Sequence, residues 1–199
     1  MPRGISVFRR EITLPLPAEY GPIAFLSSRG ATAEAGAYVN TGYCPTSKTR
    51  VYVRYTDQDS DADQSRSTAA VGTRQETGSR FIAFNSMSQW NLHYGAQTGP
   101  ARPYVSGDHI YDLDGRKWQA DDRMVEFPDE TFAIGHPLYA FAVDRAGEAE
   151  AFKSMDLHSL MIWEEGVLKR HFVPCRRLAD NVLGLCDISG CSPDPFYPN

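Results

Sequence analysis

The chain of 199 residues has only four cysteines, which stand at positions 44, 175, 186 and 191. They are too few and too unevenly spaced for the disulfide framework of a small secreted domain. Their spacing also lacks the paired C-x2-C pattern of a structural zinc site. We therefore expect buried or partly buried thiols. A Cys175–Cys186 disulfide, a Cys186–Cys191 disulfide and metal binding stay open as alternatives.

Long apolar runs are also missing. No segment approaches the roughly 20 apolar residues that a transmembrane helix needs. The first ten residues lack the uninterrupted apolar segment of a secretory signal. We therefore expect no membrane insertion, and we expect a protein that stays in a cytoplasm or is released by lysis inside a particle.

An excess of basic residues is absent as well. The sequence has 20 Lys and Arg against 25 Asp and Glu, which gives a formal net charge of -5. Nucleic-acid-binding domains usually carry a basic patch or stripe, so nucleic acid is not an expected partner. Neutral glycans or cationic partners suit this surface better.

Patterns that carry catalysis are missing too. Glycoside hydrolases need two carboxylates across the scissile bond, and the sequence has no E-x-D-x-x-E pattern that would place them on one face of a strand. Asp112 and Asp114 are two residues apart, but the Asp114-Gly115 turn accounts for the second. The five histidines have neither metal-ligand spacing nor a Gly-x-Ser-x-Gly partner. No phosphate-binding glycine loop is present. We therefore expect no enzymatic activity.

What the sequence does contain is a series of short strands. Two apolar runs, Leu157–Trp163 and Val167–Val173, are joined by Glu164-Glu165-Gly166, which predicts a hairpin because glycine supplies the positive φ of a tight turn. Pro174 removes a donor from the ladder and is expected to end the second strand. Val51, Val53 and Tyr55 alternate with polar residues, as in a half-buried strand.

Further strands follow at intervals of eight to twelve residues. Asp114-Gly115 predicts a hairpin turn within a three-stranded meander over residues 107–127. Leu138–Val143 is predicted as one fully buried strand. Short strands separated by turn residues are typical of a β-sandwich.

Two blocks of sequence carry a resemblance to a known family. The first consists of Leu160–Trp163, His171–Arg177 and Gly184–Asp187, and the second of Ala24–Ser28, Ala37–Tyr43 and Cys44–Arg50. Together they resemble the laminin-G/concanavalin-A-like module of phage structural proteins and of surface proteins of gut bacteria. His171 stands where the family's "DFVPC" motif has Asp, and Cys186 where its "GLYD" motif has Tyr. The resemblance implies a concanavalin-A-like jelly-roll β-sandwich of two antiparallel sheets over residues 23–199.

The resemblance, together with the missing signal, implies a non-enzymatic phage virion accessory, fibre or decoration protein that adheres to cell-surface glycans. The alternative is a free-standing carbohydrate-binding or adhesion module of a bacterial surface protein, located outside the cell or on its surface. Residues 1–22 have no counterpart in the family. They are predicted to be an N-terminal extension, either an extra edge strand or an arm that docks on another virion protein or on a second copy of the chain.

Aromatic and polar residues near predicted loops are the candidates for sugar binding. Sugar rings stack on exposed aromatic faces, and their hydroxyls bond to amides, carboxylates and guanidinium groups. The candidates are Tyr104, Trp90, Trp118, Arg102 and Asn91. Tyr104 is the strongest of them because its loop lies outside any predicted strand, whereas aromatics on strands also fill β-sandwich cores.

An acidic loop follows the strand that ends near residue 56. Its aspartates at alternate positions, Asp57, Asp59, Asp61 and Asp63, suggest calcium, which takes six to eight oxygen ligands on a flexible loop. The loop lacks the glycine and glutamate of an EF-hand, so a solvated acidic loop is the alternative. No other cofactor is expected.

Overall fold

The structure, a computed structural model, describes residues 15–28, 37–58, 67–86, 89–103, 105–190 and 196–198. In chain order, the strands are β1 (Tyr20–Pro22), β2 (Leu26–Ser27), β3 (Val39–Asn40), β4 (Thr49–Asp57), β5 (Thr68–Arg74), β6 (Arg80–Ser86), β7 (Gln89–Gly95), β8 (Gln97–Thr98), β9 (Arg102–Pro103), β10 (Asp108–Asp114), β11 (Lys117–Ala120), β12 (Arg123–Glu126), β13 (Tyr139–Ala140), β14 (Val143–Arg145), β15 (Glu148–Glu150), β16 (Met155–Glu164), β17 (Val167–Arg177), β18 (Leu183–Asp187) and β19 (Phe196–Pro198). In these ranges we find no helix with the length and apolarity that a membrane crossing requires.

The larger sheet contains ten strands. Its main path has the order β12-β11-β10-β4-β16-β17-β18-β19, with β1 beside β17 and β2 beside β16. β4 lies at the centre of this sheet, between β10 and β16. Val51, Val53 and Tyr55 of β4 are at most 2% exposed, while the intervening residues face outward. The predicted alternation in this strand is confirmed.

The smaller sheet contains nine strands. Its main path has the order β15-β14-β5-β6-β7-β8, and β13, β3 and β9 attach beside it. The pairing is antiparallel with one exception, since β14 runs parallel to β5 over three residue pairs. Two antiparallel sheets were predicted. Two sheets are present, and their strand pairs are antiparallel apart from β14 and β5.

The core lies between the two sheets. The larger sheet contributes Val51, Val53, Tyr55, Tyr111, Leu113, Trp118, Leu160, Ile162 and Phe172, and the smaller sheet contributes Val71, Phe81, Ala83, Leu92 and Tyr94. Aligned sheets pack about 10 Å apart with interdigitating side chains. The chain therefore folds as an all-β sandwich.

The two hairpins that turn residues predicted are confirmed. β16 and β17 pair up to Glu164 and Val167, and the turn between them has Glu165 at φ +50° and Gly166 at φ +79°. β10 and β11 are joined beyond Asp114, where Gly115 has φ +50°. In both turns glycine occupies a left-handed position, which costs it little.

The prediction that Pro174 ends its strand is wrong. β17 continues through Pro174 to Arg177, and Pro174 pairs with Leu185 of β18. The carbonyl of Pro174 accepts a hydrogen bond from Ile23 N, just beyond the end of β1. In an antiparallel ladder, the nitrogen and the carbonyl of one residue face the same neighbour. The missing N–H therefore faces the end of the short strand β1, and the ladder with β18 is kept.

The prediction of one continuous strand over Leu138–Val143 is also wrong. β13 is antiparallel to β5, whereas β14 is parallel to the same strand, so the chain reverses direction between them. Phe141 lies at the reversal with φ +69°, a conformation that residues other than glycine seldom adopt. Its fully buried ring and the hydrogen bond from its N–H to Ala70 O hold this conformation.

Part of the predicted N-terminal extension belongs to the larger sheet. Tyr20, Gly21 and Pro22 form β1 and pair with Arg177, Arg176 and Cys175. Residues 1–14, on which the interpretation as a docking arm rests, lie outside the described residues. Among the described cysteines, Cys175 and Cys186 are buried free thiols and Cys44 is an exposed one, while Cys191 is not described.

Candidate binding site

A cleft opens where the two sheets meet at one edge of the sandwich. The edge strand β12 of the larger sheet lies on one side, and β9, which pairs with β7 of the smaller sheet, lies on the other. Two adjoining depressions of about 330 and 420 Å³ share Trp90, Pro103 and Arg123. We call this combined depression the Trp90 cleft.

The floor of the Trp90 cleft is aromatic and tightly held. Trp90 is 7% exposed and packs edge-to-face on Tyr111 at 5.2 Å between ring centroids. The Tyr55 hydroxyl donates to the Tyr111 hydroxyl at 2.8 Å. Burial raises the pKa of Tyr111, so its phenol stays neutral. The floor is therefore a fixed aromatic pair, in which the 1% exposed Tyr111 packs against Trp90, the more exposed of the two rings.

A histidine–carboxylate pair fixes one side of the cleft. His109 Nδ1 lies 2.9 Å from Asp121 Oδ2, and the other carboxylate oxygen of Asp121 accepts a hydrogen bond from Ile110 N at 2.8 Å. Asp121 has φ +54° in the turn between β11 and β12. These two contacts hold that turn, with Asp122 next in the chain, against the cleft.

The rim of the cleft is polar and mainly acidic. Asp108, Asp121, Asp122 and Arg123 line it, and Arg123 Nε lies 3.7 Å from Asp122 Oδ1. The side chain of Asp122 is 91% exposed and is therefore available to a ligand. The Thr56 hydroxyl donates to Asp108 Oδ1 at 2.6 Å, which orients this carboxylate. The rim offers several hydrogen-bond acceptors and one guanidinium donor above an aromatic floor.

The structure brings together only some of the predicted sugar-binding residues. Trp90 lies in the cleft, and Arg102 pairs with it through the backbone in β9; the side chain of Arg102 is not described. Tyr104 lies outside the described residues. Asn91 follows Trp90 on β7 and faces the opposite side of the sheet, because side chains alternate along a strand. Its amide donates to Gln89 O at 3.1 Å.

Trp118 lies in the core of the sandwich, away from the cleft. It is 0% exposed, and its ring packs against Phe81, Tyr94 and Phe127. Its indole N–H donates to Gly115 O at 2.6 Å. It was a candidate because it is an aromatic residue near a predicted loop. Its strand, however, turns this side chain into the core.

The residues that sequence reasoning missed are His109, Asp121, Asp122 and Arg123. All four were predicted only as part of the three-stranded meander over residues 107–127. The sequence carries the signal of a meander, and a meander places the β11–β12 turn at the same end as the start of β10. The proximity of this end to Trp90 on the other sheet has no signal in the sequence.

Asp57, the first of the four proposed calcium ligands, forms an ion pair with a lysine. Asp57 Oδ2 lies 2.6 Å from Lys153 Nζ, and the two side chains are almost fully buried. A carboxylate paired with an ammonium group in the interior is not open to a cation. Asp59, Asp61 and Asp63 lie outside the described residues. Among the residues that are described, no three His, Cys, Asp or Glu side chains are grouped as a metal site.

Comparisons with known proteins add no relative. No protein-family model matches this chain, and no curated protein or solved structure matches it. The described strands establish a two-sheet β-sandwich. The concanavalin-A-like assignment stays an interpretation of the sequence.

Proposed function

We propose that this chain is a non-enzymatic, lectin-like β-sandwich that binds a glycan in the Trp90 cleft. The observation that carries the proposal is the arrangement of a rigid aromatic floor, Trp90 on Tyr111, beneath a rim of oriented carboxylates and one guanidinium group. Ligand sites typically combine an apolar surface with a few fixed polar groups. A sugar ring presents an apolar C–H face and a rim of hydroxyls, which complement these two parts.

The charge of the rim favours a neutral glycan. Among the side chains that the structure describes at the cleft, Asp108, Asp121 and Asp122 supply three carboxylates and Arg123 supplies one guanidinium group. A ligand that carries a carboxylate or sulfate would approach these groups with like charge, which is costly at short range. Hydroxyl groups can instead donate to the carboxylates and accept from Arg123.

The wider role that we propose follows from the resemblance. A concanavalin-A-like jelly-roll domain without catalytic residues would serve as an accessory, fibre or decoration protein of a phage virion, and would adhere to glycans on the host cell surface. Its other partners would be virion proteins or a second copy of the chain, engaged through the N-terminal segment. A carbohydrate-binding or adhesion module of a bacterial surface protein is the alternative, and it would use the same cleft.

The test is a glycan array with the purified protein, run with calcium and again with a chelator. We expect saturable binding to one class of neutral glycans. Trp90→Phe, which keeps an aromatic ring in the floor, should weaken it, and so should Asp122→Asn at the exposed rim. Asp129→Asn is the matched control, because Asp129 is exposed and lies beyond the opposite end of β12. The proposal would be overturned if no glycan on the array bound, or if neither cleft variant weakened the binding.

A further inference from the structure

A second depression, of about 310 Å³, lies on the outer face of the smaller sheet. We call it the arginine pocket; its charged and titratable residues are Arg74, Arg80, His93 and Glu150, and Ser67 also lines it. It is separate from the Trp90 cleft, because Trp90 and His93 are three residues apart on β7 and point to opposite faces. Apolar side chains that include Ile82 and Val143 form its floor.

Arg80 is held in the pocket by a histidine that does not neutralise it. Arg80 Nη1 lies 2.8 Å from His93 Nδ1. A guanidinium group can only donate, so His93 accepts through Nδ1 and its ring is neutral. Burial, together with the charges of Arg80 and Arg74, lowers the pKa of His93 to about 4. None of the carboxylates in the described residues lies within ion-pairing distance of Arg80.

Arg74, in the same pocket, has one N–H group that donates no hydrogen bond to the described residues. Its Nη2 lies 2.5 Å from Glu150 Oε1. Its Nε–H is buried and finds no acceptor among the described residues. Glu150 is also shared, since Arg145 Nη1 lies 3.6 Å from its second oxygen. One carboxylate therefore faces two guanidinium groups, and Arg80 adds a third cation.

Among the described residues that line the pocket, positive charge exceeds negative charge. Arg74 and Arg80 contribute two positive charges, Glu150 contributes one negative charge, and His93 is neutral at pH 7. A buried polar donor without an acceptor is unfavourable. Guanidinium groups are the side chains best suited to oxyanions, because their forked N–H groups match the oxygens of carboxylate, sulfate or phosphate.

We propose that the arginine pocket binds an oxyanion group carried by a small organic molecule. Arg80 and the Nε–H of Arg74 would donate to the oxygens, while Ile82 and Val143 would contact the carbon skeleton. This site is independent of the glycan proposed for the Trp90 cleft, whose acidic rim disfavours the same charge. The two sites therefore select ligands of opposite character on opposite faces of one sheet.

The experiment follows the imidazole resonances of His93 by NMR, with His93→Gln used for their assignment. Inorganic sulfate, galactose 6-sulfate and neutral galactose are titrated at constant ionic strength, since surface charge interactions depend on salt. We expect the sulfate-bearing probes to bind saturably and to raise the pKa of His93, because a negative charge offsets that of the arginines. Galactose should cause no shift of these resonances.

Arg80→Gln should weaken binding at least tenfold. Arg54→Gln, which removes an exposed arginine from the larger sheet, should leave it unchanged. A higher affinity for galactose 6-sulfate than for inorganic sulfate supports a ligand with a carbon skeleton, and equal affinity overturns that part of the proposal. The absence of saturable binding, or equal binding by the Arg80→Gln variant in a folded state shown by its amide spectrum, overturns the oxyanion site.

Discussion

Lys153 and Asp57 form an ion pair inside the sandwich, with Nζ 2.6 Å from Oδ2 and side chains that are 2% and 0% exposed. The pair joins the end of β4 to the segment that leads into β16. Lys153 Nζ also lies 5.9 Å from the ring centroid of Tyr55, where a cation–π interaction adds to the attraction. Asp57, predicted from the sequence to lie in a calcium-binding or solvated acidic loop, thus takes part in the interior packing.

Lys153→Met should destabilise the fold by about 3–5 kcal/mol, because it leaves the Asp57 carboxylate buried without its counter-charge. Chemical denaturation at pH 7 measures this change. Lys48→Met is the matched control, since Lys48 pairs with Glu165 at the surface, where both side chains are more than half exposed. That exposed pair should contribute little to stability, because surface ion pairs are screened by water and salt. Equal effects of the two substitutions would contradict the structural role of the buried pair.

The burial of His93 predicts a pH dependence of stability. Burial, Arg80 and Arg74 hold its pKa at about 4 in the folded state, against about 6.5 in an unfolded chain. Between these values the unfolded state binds more protons, so the free energy of unfolding falls as the pH is lowered from about 6.5 to about 4. The contribution is at most about 3 kcal/mol, and it does not grow further below pH 4.

Denaturation curves at pH 7, 6, 5 and 4 for the wild type and for His93→Gln measure this contribution. The glutamine side chain can still accept from Arg80 but does not titrate. The variant should therefore lose less stability than the wild type over this range. Parallel pH profiles for the two proteins would show that His93 is not protected from protonation by the fold.

The local parts of the fold could be predicted from the sequence, while the positions that depend on distant segments could not. The Glu165-Gly166 and Asp114-Gly115 turns carry their own conformational requirement, so both hairpins were predictable. The reversal at Phe141 depends on the pairing of β13 and β14 with β5, which lies about 70 residues earlier in the chain. An apolar run indicates burial, but it does not indicate the direction of pairing.

In the candidate site too, local features could be predicted from the sequence, while those that depend on distant segments could not. Trp90 and Trp118 both stand on short strands beside polar loops, and the sequence gives no means of ranking them. Trp118 lies between the sheets. Trp90 lies in the cleft at one edge of the sandwich, because β9 and β12 are edge strands on that side. The Asp121–His109 contact joins the turn after β11 to β10, and its role at the cleft depends on the packing of the two sheets.

Glu164 should stabilise the fold through the three hydroxyl groups that bond to it. Thr46 donates to one carboxylate oxygen at 2.5 Å, and Tyr43 and Thr49 donate to the other at 2.7 and 2.6 Å. Burial alone would raise the pKa of Glu164, but these bonds hold it below its usual value. Glu164→Gln should therefore cost about 1.5–3 kcal/mol at pH 7, as for hydrogen bonds to a charged group.

The stabilisation by Glu164 should decrease as the pH is lowered. A folded-state pKa below the unfolded value of about 4.3 means that the stabilisation is complete above that pH and is lost as the pH falls below it. The difference between Glu164→Gln and the wild type should then shrink in acid. Glu165→Gln is the control at the adjacent exposed position. A difference that persists unchanged at low pH would show that Glu164 acts by packing rather than by its charge.

Gly184 should be required for the attachment of the last described strand. A Cβ at this position in β18 would collide with the carbonyl oxygen of Tyr197 and lie 2.9 Å from Phe196 Cζ. Gly184→Ala should therefore displace β19 at a cost of about 1–3 kcal/mol.

Phe196 packs beside Cys175 and Cys186, so its displacement should also expose these two thiols. Mass-spectrometric labelling of Cys186 measures that exposure. Gly135→Ala, where a Cβ meets no atom within 4 Å, is the matched control. We expect faster labelling of Cys186 in Gly184→Ala than in the wild type or in Gly135→Ala. Cys44 is already exposed, so its labelling should be the same in all three proteins. Unchanged labelling together with unchanged stability would show that β19 tolerates a side chain at this position.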